Sequence, residues 1–226
     1  MGGQPYYTLL ASLPPLPRFE GARGLPISRE RLQQRLGMLT PDDARFLERA
    51  APFLIWRKDV GSLTDREMVV QFKKLMEPMS ESPLKPLIDF PVDQRTIMAA
   101  LRRRHGGSDP PTHGELWGLG RYVRHIARNW ESPHFGLAAV YPWVPQAKLH
   151  LEAGEVLALD RLLKSVLWDY LDRTVPPYDF GLPTVICYRM KWDMLAQWLT
   201  HDAKKARERF EELVKEIVHG QPQLFH

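Results

Sequence analysis

The chain has 226 residues, of which 44% are hydrophobic and 26% are charged. This ordinary composition excludes a wholly disordered, collagen-like or membrane-embedded protein. The formal net charge is +4, and the window from Arg102 to Arg128, with six arginines against two acidic residues, accounts for all of it. The basic character is therefore local, whereas nucleic-acid-binding proteins usually spread more positive charge over the binding face.

The first 54 residues contain a short apolar run and two helix starts. The run YYTLLASLPPL is closed by prolines, and its pattern fits either a buried strand or a single helical turn. Ser28 is a suitable cap for a helix reaching about Leu36. A second helix start is indicated at Thr40, which is followed by Pro41 and two aspartates.

Three further starts are predicted in the middle of the chain. Thr64 with Glu67, and Thr112 with Glu115, have the spacing of capping boxes, which predicts helices to about Met76 and to about Trp130. Asp93 is predicted to open a helix between them, with an apolar face and an end at the basic run Arg102, Arg103, Arg104 and His105 before Gly106. The loop HGGSDPPTHG follows, and residues 105–113 are the candidate boundary between two lobes.

Helical patterns continue over roughly residues 146–173, 181–199 and 202–218, and consistent strand signals are almost absent. The sequence thus predicts a mainly α fold of several helices, with at most a short N-terminal strand. Its length favours one helical domain over residues 1–226, with two helical lobes as the alternative.

The patterns that carry catalytic or cofactor chemistry are absent from the sequence. It contains no GxxxxGK[ST], GxGxxG, GxSxG or HExxH motif, and Gly118 and Gly120 form only a GxG in a predicted helix. The eight histidines are scattered. Cys187 lies in the apolar segment VICYRMKW and is interpreted as a small core residue. We therefore expect no catalytic residue, no metal site, no cofactor and no small-molecule substrate.

The segment GLGRYVRHIARNW is the most interpretable feature. On a helix, Arg121, Arg124 and Arg128 would line one side, while Val123, Ile126 and Trp130 would form an apolar stripe. Such a row of arginines is either a solvated face with internal ion pairs, a docking site for an acidic protein, or a site for nucleic-acid or lipid phosphate. The candidate partner-binding residues are the six arginines of this region: Arg121, Arg124, Arg128, Arg102, Arg103 and Arg104.

The seven tryptophans are spread across the predicted helices, and most are expected to pack in the core. Several of them are alternatively anchors of an interface.

Two segments resemble a known family. The family is a bacterial one of unknown function. Its opening helices resemble the N-terminal segments YYTLLASLPPL and LTPDDARFLERAAPFLIWRKDV, and its closing helices resemble the C-terminal segment YDFGLPTVICYRMKWDMLAQWLTHDAKKARERFEELV. Genes of that family lie within V-type (archaeal-type) ATP synthase operons. Together the two segments cover about a third of the chain.

The resemblance implies a role in that ATP synthase. The family's gene tends to occupy the place where archaeal operons carry the C-type stalk adaptor, an all-helical, non-catalytic cap that joins the central rotor stalk to the membrane proteolipid ring. The implied partners are therefore the stalk subunits and the proteolipid ring. The implied location is cytoplasmic, peripheral at the inner face of the membrane. The alternative is a basic helical nucleic-acid-binding module.

Overall fold

The secondary structure confirms the mainly α prediction. The computed structural model of the chain describes residues 5–54, 65–79, 81–112 and 114–219. These residues form nine α-helices, three 3-10 segments and no strand. The α-helices are α1 (Tyr7–Ala11), α2 (Arg29–Leu36), α3 (Pro41–Leu54), α4 (Asp65–Met76), α5 (Lys85–His105), α6 (Val123–Arg128), α7 (Val144–Glu152), α8 (Val156–Thr174) and α9 (Leu182–His219).

The predicted N-terminal helix starts are confirmed. The Ser28 side chain accepts a hydrogen bond from the Arg31 amide at 3.3 Å and caps α2. Thr40 Oγ1 accepts one from the Asp43 amide at 3.3 Å, where α3 begins. The opening apolar run forms the single-turn helix α1 rather than a strand. Helix α4 ends at Met76 as expected, while its predicted cap Thr64 lies outside the described residues.

Helix α5 begins eight residues earlier than predicted, at Lys85 rather than at Asp93. Proline fits the first turn of a helix, where its missing N–H is not needed, and Pro86 occupies that turn. The apolar residues that follow are buried and extend the helix past Pro91. The prediction that Asp93 caps a helix is therefore wrong, because Asp93 lies inside α5 with no exposed surface.

The C-terminal helices divide differently from the prediction. The pattern over residues 146–173 is two helices, α7 and α8, which are separated at Gly154 with a φ of +68°. The Glu155 amide donates to the His150 carbonyl at 2.9 Å and closes the end of α7. The patterns over residues 181–199 and 202–218 belong to one helix, α9. No glycine or proline lies between them to interrupt it.

Helices α5 and α8 form an antiparallel pair at the centre of the fold. The Tyr170 hydroxyl donates to the Pro86 carbonyl at 3.2 Å, and Gln94 Nε2 donates to the Leu163 carbonyl at 3.1 Å. The residue numbers rise along α5 as they fall along α8. The C-terminal end of α5 therefore lies beside the start of α8, and its N-terminal end lies beside the end of α8. At 1.5 Å per residue, the pair is about 30 Å long.

The tryptophan prediction is confirmed for most of the described tryptophans. Trp192 is fully buried and donates its indole N–H to the Ile27 carbonyl at 2.9 Å. The other buried tryptophans are Trp130, Trp143, Trp168 and Trp198. Trp117 is half-buried, and Trp56 lies outside the described residues. In the part of the chain that the structure describes, no helix combines the length and apolar character needed to cross a bilayer.

The interpretation of Cys187 as a core residue is confirmed. The thiol is buried against α8, with its Sγ 3.8 Å from the Leu171 carbonyl oxygen. Burial raises its pKa from 9.0 to about 11.

We predict that a thiol-specific reagent at pH 8 labels Cys187 at least about a hundredfold more slowly in the folded protein than in denaturant. Two pKa units reduce the thiolate fraction by about that factor, and burial adds to the protection. Because the folded pKa is the higher one, ionisation of Cys187 also lowers the free energy of unfolding as the pH rises from about 9 to about 11. Equal labelling rates in the two states would contradict this placement.

Candidate functional site

A buried carboxylate on α5 organises the middle of the chain. Asp93 Oδ1 accepts a hydrogen bond from the Arg121 amide at 2.9 Å. Its Oδ2 accepts from Arg121 Nε at 2.7 Å and from the Tyr141 hydroxyl at 3.0 Å. Arg121 Nη2 also donates to the Tyr141 oxygen at 2.9 Å. We call Asp93, Arg121 and Tyr141 the Asp93 cluster.

Two glycines bring the chain onto α5 beside this cluster. Gly120 has a φ of +89°, and a Cβ atom placed on it would lie 2.5 Å from Asp93 Oδ1. A Cβ atom on Gly118 would lie 2.7 Å from Thr96 Cγ2. Between them, Thr96 Oγ1 donates to the Leu119 carbonyl at 2.6 Å and accepts from the Leu119 amide at 3.0 Å. The absence of side chains at both glycines is what allows this close approach.

Within the Asp93 cluster, Asp93 and Arg121 each stabilise the charged form of the other. Burial raises the pKa of Asp93, and the hydrogen bonds and charge of Arg121 and the hydroxyl of Tyr141 act against that rise. Burial acts to lower the pKa of Arg121, but the charge and hydrogen bond of Asp93 outweigh it and raise that pKa. Burial, followed by the charge of Asp93, raises the pKa of Tyr141. Arg121 and Tyr141 therefore remain donors at neutral pH, and the cluster anchors the glycine segment to α5.

The helix predicted from Thr112 to about Trp130 is wrong over its first half. The capping contact forms, with the Thr112 amide donating to Glu115 Oε2 at 2.9 Å, but residues 114–122 are not helical. The glycines of this segment, together with the bonds of Arg121 to Asp93, hold it against α5. Only Val123–Arg128 forms a helix.

The predicted alignment of Arg121, Arg124 and Arg128 on one helix face is consequently wrong. Arg121 lies before α6 and binds Asp93, while Arg124 and Arg128 lie on α6 and are exposed. The predicted apolar stripe packs as expected, because Ile126 and Trp130 are buried and Val123 is half-buried.

The arginines at the C-terminal end of α5 divide into two groups. Arg103 pairs with Glu115, and Arg104 Nη1 donates to the carbonyls of Trp130 at 2.9 Å and Ser132 at 3.0 Å. Arg102 is exposed and, within the described residues, makes no hydrogen bond or ion pair. The same holds for Arg124 and Arg128 on α6.

These arginines lie on neighbouring elements. The segment that contains α6 runs alongside α5, because Arg121 binds Asp93 at one point and the Trp130 carbonyl binds Arg104 further along. Arg124 and Arg128 lie on this segment, whereas Arg102 lies on a different side of α5: it follows Arg95, which donates to the Pro52 carbonyl at 3.0 Å, by seven residues, or two helical turns. We use the name basic surface for these three exposed arginines, Arg102, Arg124 and Arg128.

A strained turn lies beside the basic surface. His134 and Phe135 have φ angles of 52° and 56°. This is the left-handed backbone conformation, which residues other than glycine rarely adopt. Phe135 is fully buried, and the Arg104 guanidinium lies 4.2 Å from its ring centroid. His125 Nε2 forms a hydrogen bond with the Phe135 carbonyl at 3.0 Å. Arg104 and His125 thus hold this turn from two sides.

The partners that fix the site, namely Asp93, Thr96 and Tyr141, do not follow from the sequence pattern. The available signal is the Gly-x-Gly-Arg sequence at residues 118–121, whose surroundings favour a helix. Nothing in the sequence indicates that it approaches α5. Among the described residues, no cluster of three histidine, cysteine, aspartate or glutamate side chains is arranged to hold a metal ion.

The fold and the site define an all-α scaffold in which a buried aspartate fixes a glycine segment next to an exposed basic surface. The chain belongs to the protein family of unknown function DUF2764, whose sequence model matches residues 58–221. The match includes the Asp93 cluster and the basic surface. No curated protein and no solved structure matches the chain.

Proposed function

We propose that this chain is a non-catalytic structural or assembly component of a bacterial V-type ATP synthase, similar in role to the C-type stalk adaptor. The observation that carries the proposal is the basic surface, whose exposed arginines have no partner among the described residues. The choice of complex follows from the resemblance of the N-terminal and C-terminal segments. In this role the protein lies at the cytoplasmic face of the membrane, through contact with stalk subunits and the proteolipid ring.

The basic surface has the chemistry of a docking site for an acidic protein. A guanidinium group presents several N–H donors in a planar arrangement that matches a carboxylate. Arg102, Arg124 and Arg128 keep these donors available, whereas Arg103 and Arg104 use theirs within the fold. Complementary charge across an interface increases the association rate and selects the partner.

The scaffold beneath this surface is suited to an adaptor that transmits force. Arg104 links the end of α5 to residues 130 and 132, and the Asp93 cluster links the middle of α5 to residues 121 and 141. Satisfied polar contacts of this kind favour one arrangement of the elements they join. Arg124 and Arg128 therefore lie on a segment that is fixed to α5 near both of its ends before a partner binds.

The triple substitution Arg102→Glu, Arg124→Glu and Arg128→Glu tests this proposal. We expect the variant to fold with an unchanged thermal midpoint, since these side chains make no hydrogen bond or ion pair among the described residues. We expect its recovery with the ATP synthase from solubilised membranes to fall at least about tenfold, because like charges across an interface repel.

The matched control is Arg23→Glu, Arg31→Glu and Arg35→Glu, which makes the same change of charge at exposed arginines near and on α2. Its recovery with the complex should equal that of the unaltered chain. Normal assembly of the folded basic-surface variant would contradict the proposal. Binding of duplex DNA or RNA at about 50 mM salt that disappears at higher salt would instead support the nucleic-acid-binding alternative.

A further inference from the structure

A histidine shares the outer face of α6 with the two arginines of that helix. Successive residues of an α-helix are about 100° apart, so Arg124, His125 and Arg128 lie within about 100° of one another. All three residues are exposed. Ile126, on the opposite side of the helix, is fully buried. We call Arg124, His125 and Arg128 the α6 face.

The strained turn holds the ring of His125 in one orientation. Nε2 lies 3.0 Å from the Phe135 carbonyl oxygen, which can only accept a hydrogen bond, so Nε2 is the donor. In the neutral ring, Nδ1 is therefore the unprotonated nitrogen, and it has no hydrogen-bond partner among the described residues. A second proton goes to Nδ1, and the bond to Phe135 stays intact. His125 thus gains a positive charge without any change in the fold.

The charged and titratable groups around His125 are mostly positive. They are Arg121, Tyr122, Arg124 and Arg128 on its own segment, Glu131 and His134 in and before the turn, and Arg103 and Arg104 on α5. Arg121 is paired with Asp93, and Arg103 is paired with Glu115. The Tyr122 ring centroid lies 6.1 Å from that of His125. Glu131 is the one acidic side chain among these groups, so the α6 face attracts carboxylates rather than cations.

We propose that protonation of His125 strengthens the binding of an acidic partner at the α6 face, so that docking takes up a proton and depends on pH. The inference rests on the proposed docking function of the basic surface, to which Arg124 and Arg128 belong. It adds the regulation of that surface.

The direction of the effect follows from linkage. A histidine side chain ordinarily changes charge between about pH 5 and pH 8. A carboxylate within about 4–6 Å favours the charged form of the ring, so the complex holds the proton to a higher pH than the free protein does. The affinity for the acidic partner therefore rises as the pH falls from 8 to 6. Exposed ion pairs are weak, and the gain from one added charge is about threefold.

The test measures the binding of a polyglutamate peptide of about 20 residues to the full chain at pH 8 and at pH 6, in about 50 mM salt. Glutamate carboxylates stay ionised over this range, and fluorescence anisotropy with a dye that does not titrate reports the affinity. We expect the unaltered chain to bind about threefold more tightly at pH 6. His125→Gln keeps an N–H donor for the Phe135 carbonyl but cannot be protonated. Its thermal midpoint should be unchanged at pH 8, and its affinity should be nearly the same at both pH values.

His105→Gln is the matched control, because His105 is an exposed histidine at the end of α5 and lies outside the α6 face. This variant should keep the threefold dependence on pH. Equal pH dependence in His125→Gln and the unaltered chain would overturn the role of His125.

A second variant separates this outcome from a failure of the proposed docking function. Arg124→Glu with Arg128→Glu should weaken polyglutamate binding at least tenfold at both pH values. Unchanged binding by this double variant, or no binding by the unaltered chain at pH 6, would contradict the docking surface itself. Loss of binding in the double variant, with the pH dependence intact in His125→Gln, would leave the docking surface standing and overturn only its regulation by His125.

Discussion

Replacing Asp93 with alanine is expected to lower the free energy of unfolding by about 3 kcal/mol, because it removes the common acceptor of a buried network. The Arg121 amide and the Tyr141 hydroxyl proton then lose their acceptor inside the fold, while the Tyr141 oxygen still accepts from Arg121 Nη2. The half-exposed Arg121 side chain regains water, which keeps the loss near the lower end of the range for a broken buried ion pair. Denaturant unfolding followed by circular dichroism at 222 nm measures the change.

The control for this variant is Asp42→Ala, which removes a carboxylate that is 87% exposed and pairs with Arg45 on the surface. Surface ion pairs contribute little, so we expect a loss below about 1 kcal/mol. Equal losses for Asp93→Ala and Asp42→Ala would show that the Asp93 cluster does not hold the fold together.

Gly120→Ala is expected to lower the free energy of unfolding by about 3 kcal/mol as well, for a steric reason. The φ of +89° costs an L-residue about 1 kcal/mol or more. In addition, the new Cβ atom would lie 2.5 Å from Asp93 Oδ1 and 3.1 Å from Val92 Cγ1. The segment has to move away from α5, which weakens the bonds of Arg121 to Asp93. The same unfolding measurement applies.

Gly107→Ala separates the two contributions at Gly120. Gly107 has a φ of +74°, but a Cβ atom placed on it would have no neighbour within 4 Å among the described residues. Its substitution therefore carries the backbone cost of about 1 kcal/mol alone. If Gly120→Ala lowers the free energy of unfolding no more than Gly107→Ala does, the close approach of Gly120 to Asp93 does not contribute to stability.

Local signals near the N-terminus predict their elements well. Ser28 and Thr40 cap α2 and α3 as expected, because a capping hydrogen bond joins residues only two or three positions apart. Similarly, the apolar context of Cys187 is sufficient to place it in the core. Such features depend on the immediate neighbours in the sequence.

The elements for which the sequence prediction is wrong depend on contacts distant in sequence. Asp93 has the character of a cap, but its partners Arg121 and Tyr141 lie 28 and 48 residues away. Arg121 belongs to a helical pattern, yet its bond to Asp93 keeps it out of α6. Charge alone identifies the candidate partner-binding arginines. Only the tertiary contacts separate Arg103 and Arg104, which are engaged internally, from Arg102, Arg124 and Arg128.

Co-purification tests the proposed membership of an ATP synthase most directly. The tagged full chain is expressed in its native host, the membranes are solubilised gently, and the proteins recovered with it are identified by mass spectrometry. We predict near-stoichiometric recovery of the stalk and catalytic subunits of the V-type ATP synthase. Purification of an intact ATP synthase from the same host without this chain would contradict the account.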